Sequence, residues 1–147
     1  MRKVLVVDDD EGLLFIIGEY LEAFGLECEL ANGPTQARVR LKDSNYDAIV
    51  SDLEMPGESG LDLFRYVSPR FPSTPFIIMT GCTDSRVKRE AMKIGVSNYI
   101  EKPFRMADLI QLLSNPDLTG MGTGVSSLAA SMEHLQGNEA APSPTVN

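Results

Sequence analysis

Apolar residues along this chain fall into two alternating kinds of run. Short ones of strand length cover Val4–Val7, Cys28–Ala31, Ala48–Ser51, Phe76–Met79 and Asn98–Ile100. Lys3-Val-Leu-Val-Val and Pro75-Phe-Ile-Ile-Met carry no polar alternation, the pattern of strands covered on both faces. Between them, apolar positions recur at intervals of three and four, which is helical spacing. Leu14, Ile17, Leu21 and Phe24 form one stripe, and Ala37 with Leu41 a second. Leu61, Phe64 and Val67, then Val87, Ala91 and Ile94, then Leu109 and Leu112 complete the set. Gly25 and Gly95 stand where helices stop, Pro34 where a first-turn proline is tolerated, and Pro69 and Asn115-Pro116 close two further stripes. Five strands, each followed by a helix, predict an open, doubly wound α/β domain over residues 1–114 with a parallel sheet.

Beyond Ser114 the pattern changes. Gly120, Gly122, Gly124, Pro142 and Pro144 punctuate a stretch without strand signals, so residues 115–147 read as a low-complexity, mostly disordered tail. Their spacing is not a nucleotide-binding G-x-G-x-x-G, and no strand precedes it. Val125, Leu128, Met132 and Leu135 share one helical face, with Ser126 or Ser127 as cap and Gly137 as stop. That gives a candidate short amphipathic helix at 125–136, too short to be stable alone in water.

Charge narrows the function. The formal net charge is −8, and no Lys or Arg follows Arg105. A surface that seeks phosphate backbones needs the opposite balance, so direct nucleic-acid binding is not expected. No apolar run reaches the ~20 residues of a membrane span, and the first residues lack a signal-peptide pattern. The expected location is cytoplasmic, with no membrane partner. Cys28 and Cys82 belong to no C-x-x-C pair, so free reduced thiols are expected. His134 has no ligand companions.

In open α/β sheets, ligands bind beyond the carboxyl ends of the strands. There the chain places Asp8-Asp9-Asp10 after the first strand, Asp52 after the third, Thr80-Gly81 after the fourth and Lys102-Pro103 after the fifth. Carboxylates gathered this closely resist ionising together, and a hard divalent cation relieves the repulsion. With Mg²⁺ in place, Asp52 is a candidate nucleophile toward phosphorus, with Lys102 and Thr80 facing the equatorial oxygens. An acidic run before a helix also caps it and complements its dipole. Capping accounts for Asp10 and Glu11, but not for Asp8 and Asp9 matched by Asp52, Thr80 and Lys102.

These residues resemble the response-regulator receiver family of two-component signalling. The resemblance rests on Val6-Val-Asp-Asp-Asp, Asp52-Leu-Glu-Met-Pro-Gly-Glu-Ser-Gly60, Met79-Thr-Gly and Lys102-Pro-Phe, in that order, across about residues 2–113. It implies a flavodoxin-like sheet of order 2-1-3-4-5. It further implies Asp52 as phosphoacceptor, Mg²⁺ held by Asp8, Asp9 and Asp52 with the Glu54 backbone carbonyl, and Lys102 pairing with the phosphoryl group. Thr80 would be the switch hydroxyl and Tyr99 the aromatic switch position. Met55-Pro56 and Gly60 would shape the loop after the third strand, and Lys102-Pro103 would be cis. Glu54 and Cys82 are less usual and bear on the lifetime of the phosphorylated state. The chain itself is then not an enzyme beyond its own phosphorylation and dephosphorylation.

The donor implied is a sensor histidine kinase or phosphotransfer protein. Arg86, Arg89 and Lys93 lie opposite the Val87/Ala91/Ile94 stripe, and with Lys88, Tyr99 and Arg105 they mark a face for an unknown downstream protein or a second copy. A merely solvated helix face is the competing interpretation. Two further functions stay open: a phosphorylation-independent adaptor and a metal-dependent aspartyl phosphatase. A flavodoxin relative fits poorly, because three aspartates would repel a flavin phosphate.

Overall fold

In the computed structural model, which describes residues 2–114 and 145–146, strand β1 (Lys3–Val7) divides its side chains between two cores. Val4 and Val6 enter one apolar cluster, Leu5 and Val7 the other, and all four are fully buried. The period-two alternation of a strand is the cause, and burying each such side chain is worth about 1.5–3 kcal/mol. The remaining sheet strands are β2 (Glu27–Ala31), β3 (Ala48–Asp52), β4 (Phe76–Thr80) and β5 (Asn98–Glu101). All pairs are parallel, in the order β2-β1-β3-β4-β5. The fold is thus flavodoxin-like, as the sequence predicted. The chain reverses its direction of travel between β1 and β3, and the carboxyl ends of those two strands flank the crevice.

Helices cover both faces. Helix α1 (Glu11–Ala23) and helix α5 (Met106–Ser114) supply Leu14, Ile17, Leu21, Leu109 and Leu112 to the first cluster. Helices α2 (Pro34–Asp43), α3 (Gly60–Val67) and α4 (Ser85–Ile94) supply Ala37, Leu41, Leu61, Phe64 and Ala91 to the second. Their limits follow from local chemistry. Asp10 caps α1 by accepting from the Leu13 N–H, and Pro34 opens α2. Ser59 and Asp62 form a reciprocal capping box on α3, and Gly95 ends α4 in the left-handed conformation. Among the described residues, no helix is long and apolar enough to cross a membrane.

Two short strands were not anticipated. β6 (Phe104–Arg105) follows Lys102-Pro103, and β7 (Thr145–Val146) pairs with it antiparallel. The stretch after residue 114 was expected to hold no strand, and a two-residue pairing is too short to leave a periodic signal. The candidate helix at 125–136 and the rest of the expected tail lie outside the described residues.

Gly60 opens α3 in contact with the sheet. A Cβ there would fall far inside van der Waals distance of the Asp52 carbonyl oxygen and 3.1 Å from Ile78 Cδ1. Gly18, midway along α1, is different: a Cβ would meet Leu30 at 3.5 Å, an ordinary contact. Gly60→Ala should therefore destabilise the domain by about 1–3 kcal/mol, whereas Gly18→Ala should stabilise it by about 0.5–1 kcal/mol through helix propensity. Denaturant unfolding of both variants checks this, and equal signs would contradict the packing described.

Candidate functional site

Strand geometry delivers the acidic residues to one rim. Asp8 follows the last residue of β1, Asp52 ends β3, and these strands pair in parallel up to Val7 opposite Ser51. Carboxylate oxygens of Asp8, Asp9 and Asp52 lie within 4.8 Å of one another. Asp8 and Asp52 are buried, at 1% and 6% exposure, while Asp9 is exposed.

One cation answers them. Lys102 Nζ donates to Asp8 Oδ2 at 3.0 Å and to Asp52 Oδ1 at 3.1 Å. The lysine is aimed by its own backbone: its N–H donates to the Thr80 carbonyl at 2.7 Å, and the Lys102-Pro103 peptide is cis. Asp8 is held from the other side as well, where Oδ1 accepts the Asp10 N–H at 2.9 Å. Asp10 thus caps α1 and positions Asp8 at once, which explains a third aspartate outside the cluster.

Burial is the chief reason that the Asp52 carboxyl is pushed up to about 6 from an ordinary 3.8; the Asp8 charge adds to it, and Lys102 offsets only part. Asp8 is raised too, by burial first, against the Asp10 N–H and Lys102. For Lys102, burial pulls downward, but the bond to Asp8 and the charge of Asp52 more than offset it, so its value is raised. Three carboxylates and one ammonium leave an excess of negative charge in a partly enclosed site. A donor set of close carboxylate oxygens is what a hard divalent cation such as Mg²⁺ takes, so these residues fit that ion.

The loop after Asp52 is fastened at several points. The Gly60 N–H donates to the Leu53 carbonyl at 2.8 Å, and Arg38 on α2 grips both Glu58 oxygens. Met55 is buried and Pro56 exposed. The Glu54 side chain is exposed and stands apart from the acidic cluster, on the wall of a 620 Å³ groove with Leu53, Met55, Leu61, Cys82 and Val87. Thr80 is buried, and its Oγ1 accepts the Cys82 N–H at 2.8 Å. Both cysteines are free, and burial first of all pushes the Cys28 thiol up to about 12, an unreactive state at neutral pH.

Tyr99 is half-buried on β5, with Lys88 Nζ 5.1 Å from its ring centroid. Lys88 in turn forms an ion pair with Glu101. Of the expected basic face, Arg86, Arg89 and Lys93 are exposed. Arg86 is engaged with Asp84 at 3.0 Å, and Arg105 lies 3.5 Å from Asp108. The face is therefore less positive than its cations alone suggest. Sequence reading missed Glu101 and Ser51. Glu101 anchors Lys88 across to β5, and the buried Ser51 hydroxyl donates to the Asp52 carbonyl at 3.0 Å. Charge alternation pointed to neither, since each partner comes from tertiary placement or a local turn.

An order 2-1-3-4-5 sheet whose carboxyl edge gathers three aspartates around a lysine defines a receiver domain. The response regulator receiver domain family model matches residues 4–114, and the chain belongs to that family, the receiver domains of two-component systems. The DNA-binding transcriptional regulator NtrC of Salmonella typhimurium is 32% identical over 110 residues, which cover 75% of this chain and 24% of NtrC. The chain therefore spans about a quarter of the length of that curated relative. A response regulator receiver domain protein from Clostridium thermocellum superposes with TM-score 0.74 at 33% identity, covering 79% of this chain and 94% of that one. The response regulator TrrA of Thermotoga maritima, solved in complex with Mg²⁺-BeF, superposes with TM-score 0.71 at 26% identity over 79% of this chain and 99% of that one.

A carboxyl whose folded value is raised contributes stability that is complete below its unfolded value and is lost as pH climbs through the folded one. For Asp52 that window runs from 3.8 to about 6. In EDTA, Asp52→Asn should thus be more stable than the native chain at pH 7, by on the order of 1–3 kcal/mol. The difference should shrink toward zero near pH 4. Thermal melts across pH check it, and a pH-independent difference would contradict the charge balance described.

Proposed function

We propose that this domain is a phosphorylation-dependent switch in which Asp52 accepts a phosphoryl group from a sensor histidine kinase or phosphotransfer protein. The observation that supports it most is the convergence of Asp8, Asp9, Asp52 and Lys102 at one rim. Lys102 binds only one of the two Asp52 oxygens, and Oδ2 has no hydrogen-bond partner among the described residues. An Asp52 oxygen attacks phosphorus in line as the donor's P–N bond breaks, and the departing imidazole takes a proton. The Lys102 ammonium pairs with an oxygen of the transferred group. Asp8, Asp9 and Asp52, with the Glu54 backbone carbonyl, would hold Mg²⁺, which supplies charge neutralisation for two anions brought together.

The Thr80 hydroxyl is the switching element in this reading. It now accepts the Cys82 N–H, and turning to donate to a phosphoryl oxygen would free that turn ahead of α4. Tyr99 on the neighbouring strand would then turn inward. Decisive population of the second state needs about 5 kcal/mol of differential stabilisation. The exposed side of α4 with Tyr99 and Arg105 is the proposed face for a downstream protein or a second copy. A cytoplasmic location belongs to the same reading, and no DNA-binding role is carried over from NtrC.

Incubation with acetyl phosphate and Mg²⁺, followed by intact mass, should add one phosphoryl group to the native chain and none to Asp52→Asn or in EDTA. Lys102→Ala should slow the transfer by about 10²-fold, the scale of losing one preorganised charge partner. A phosphoryl gain that persists in Asp52→Asn contradicts the assigned acceptor.

For the docking face, Arg86→Glu with Arg89→Glu should abolish self-association or partner capture that the phosphorylated native chain shows, at an unchanged phosphorylation rate. Sedimentation of the phosphorylated proteins checks the self-association arm. Intact association in the double variant would leave α4 a solvated surface.

A further inference from the structure

The loop between β3 and α3, residues 53–59, is pinned at its two ends. The Leu53 N–H donates to the Met79 carbonyl at 2.8 Å, and Ser59 and Asp62 close their capping box with two bonds of 3.1 Å. In between, among the described residues, positions 54–58 make no backbone-to-backbone hydrogen bond, and Gly57 turns the chain with φ +85°. A segment without main-chain bonds depends on its side chains for its shape. Met55 packs into the second cluster, and Glu58 reaches across to α2. There the Arg38 guanidinium meets both Glu58 oxygens, Nη1 to Oε1 at 2.7 Å and Nη2 to Oε2. The same guanidinium lies over the Tyr66 ring of α3, 4.9 Å from its centroid. A two-pronged bond between arginine and a carboxylate fixes direction as well as distance.

We propose that Arg38 and Glu58 are a positioning pair for the metal site: clasped together, they hold the loop after Asp52 in the shape that binds Mg²⁺. The inference rests on reading that site as one for Mg²⁺, with a main-chain oxygen of this loop, at Glu54, among the ligands. Mg²⁺ demands near-ideal ligand geometry, so a loop free to wander binds it less well. Glu58 is not one of the three carboxylates gathered at the rim. Both residues of the clasp act through the loop, as groups behind a ligand do. Their charges alone would act differently. A cation at position 38 repels Mg²⁺ through space, so its removal would tighten binding. Removal of one half of a clasp weakens binding instead. The sign of the change at Arg38 separates the two causes.

The test titrates Mg²⁺ into the full native chain and into Arg38→Met, Glu58→Gln and the reversed pair R38E/E58R. Binding is read by calorimetry and by the amide NMR shifts of Asp52 and Glu54. Arg38→Met and Glu58→Gln should each weaken Mg²⁺ binding by about three- to tenfold, and the reversed pair should recover most of that loss. In EDTA, amide exchange over residues 53–58 should quicken by about threefold or more in the two single variants, while β1 and β3 keep their protection. Should Arg38→Met fail to fold, Arg38→Lys takes its place. Lysine keeps the charge without the two-pronged bond, so the clasp predicts weaker binding where charge alone predicts no change. A native chain that takes up no Mg²⁺ overturns the reading of the site, and this inference with it. A native chain that binds Mg²⁺ while Arg38→Met or Arg38→Lys binds it equally or more tightly overturns the clasp alone.

Discussion

The site depends on an imbalance of charge that the fold imposes. Parallel pairing of β1 with β3 puts Asp8 and Asp52 at neighbouring strand ends, and Asp9 comes with Asp8. Among the described residues, Lys102 is the single cation bonded to the pair. Burying carboxylates without full compensation costs stability, and the raised Asp52 carboxyl is the visible consequence. Such an arrangement is poor as a structural ion pair. It is well suited to something that brings positive charge, and that preference is what the domain has to offer a ligand.

Everything around the cluster limits how it can relax. Asp8 is bonded on both oxygens, one to Lys102 and one to the Asp10 N–H. Asp52 sits over the Gly60 backbone, and the loop between them is tied to α2 through Arg38 and Glu58. Carboxylates that could swing into water would lose their mutual repulsion and also their shared geometry. Preorganisation of this kind keeps the strain available for binding.

Much of this was readable in the chain. Unbroken apolar runs identified buried parallel strands, and stripes of three and four identified the covering helices. The aspartates, Thr80 and Lys102 were locatable because the carboxyl end of each strand is set by its length. Glu101 and Ser51 were not, since their partners come from α4 and from a carbonyl one residue away. The weakening of the basic face by Asp84, Glu101 and Asp108 was hidden for the same reason: ion pairs depend on rotamers and crossings that periodicity does not encode. Pairing of β6 with β7 joins residues some forty apart, and two residues are too few to repeat.

In the proposed switch, helix α4 is where a change at the site would be transmitted. Helices α1 and α3 each bury five residues, but in α4 only Ala91 is fully buried. Val87 and Ile94 pack at the margin of their cluster. The helix is held instead by polar links, Asp84 at its start and Lys88 to Glu101 across to β5. Hydrogen bonds and partly exposed ion pairs are worth less than apolar burial on that scale. Displacing α4 therefore costs less than displacing any helix that fills the core. The turn leading into it begins at the Thr80 hydroxyl, and Thr80 ends the strand beside Asp52. In the proposed switch, a fold that is rigid at its aspartates and loosely fastened one turn away would convert a local change of charge into movement of a surface.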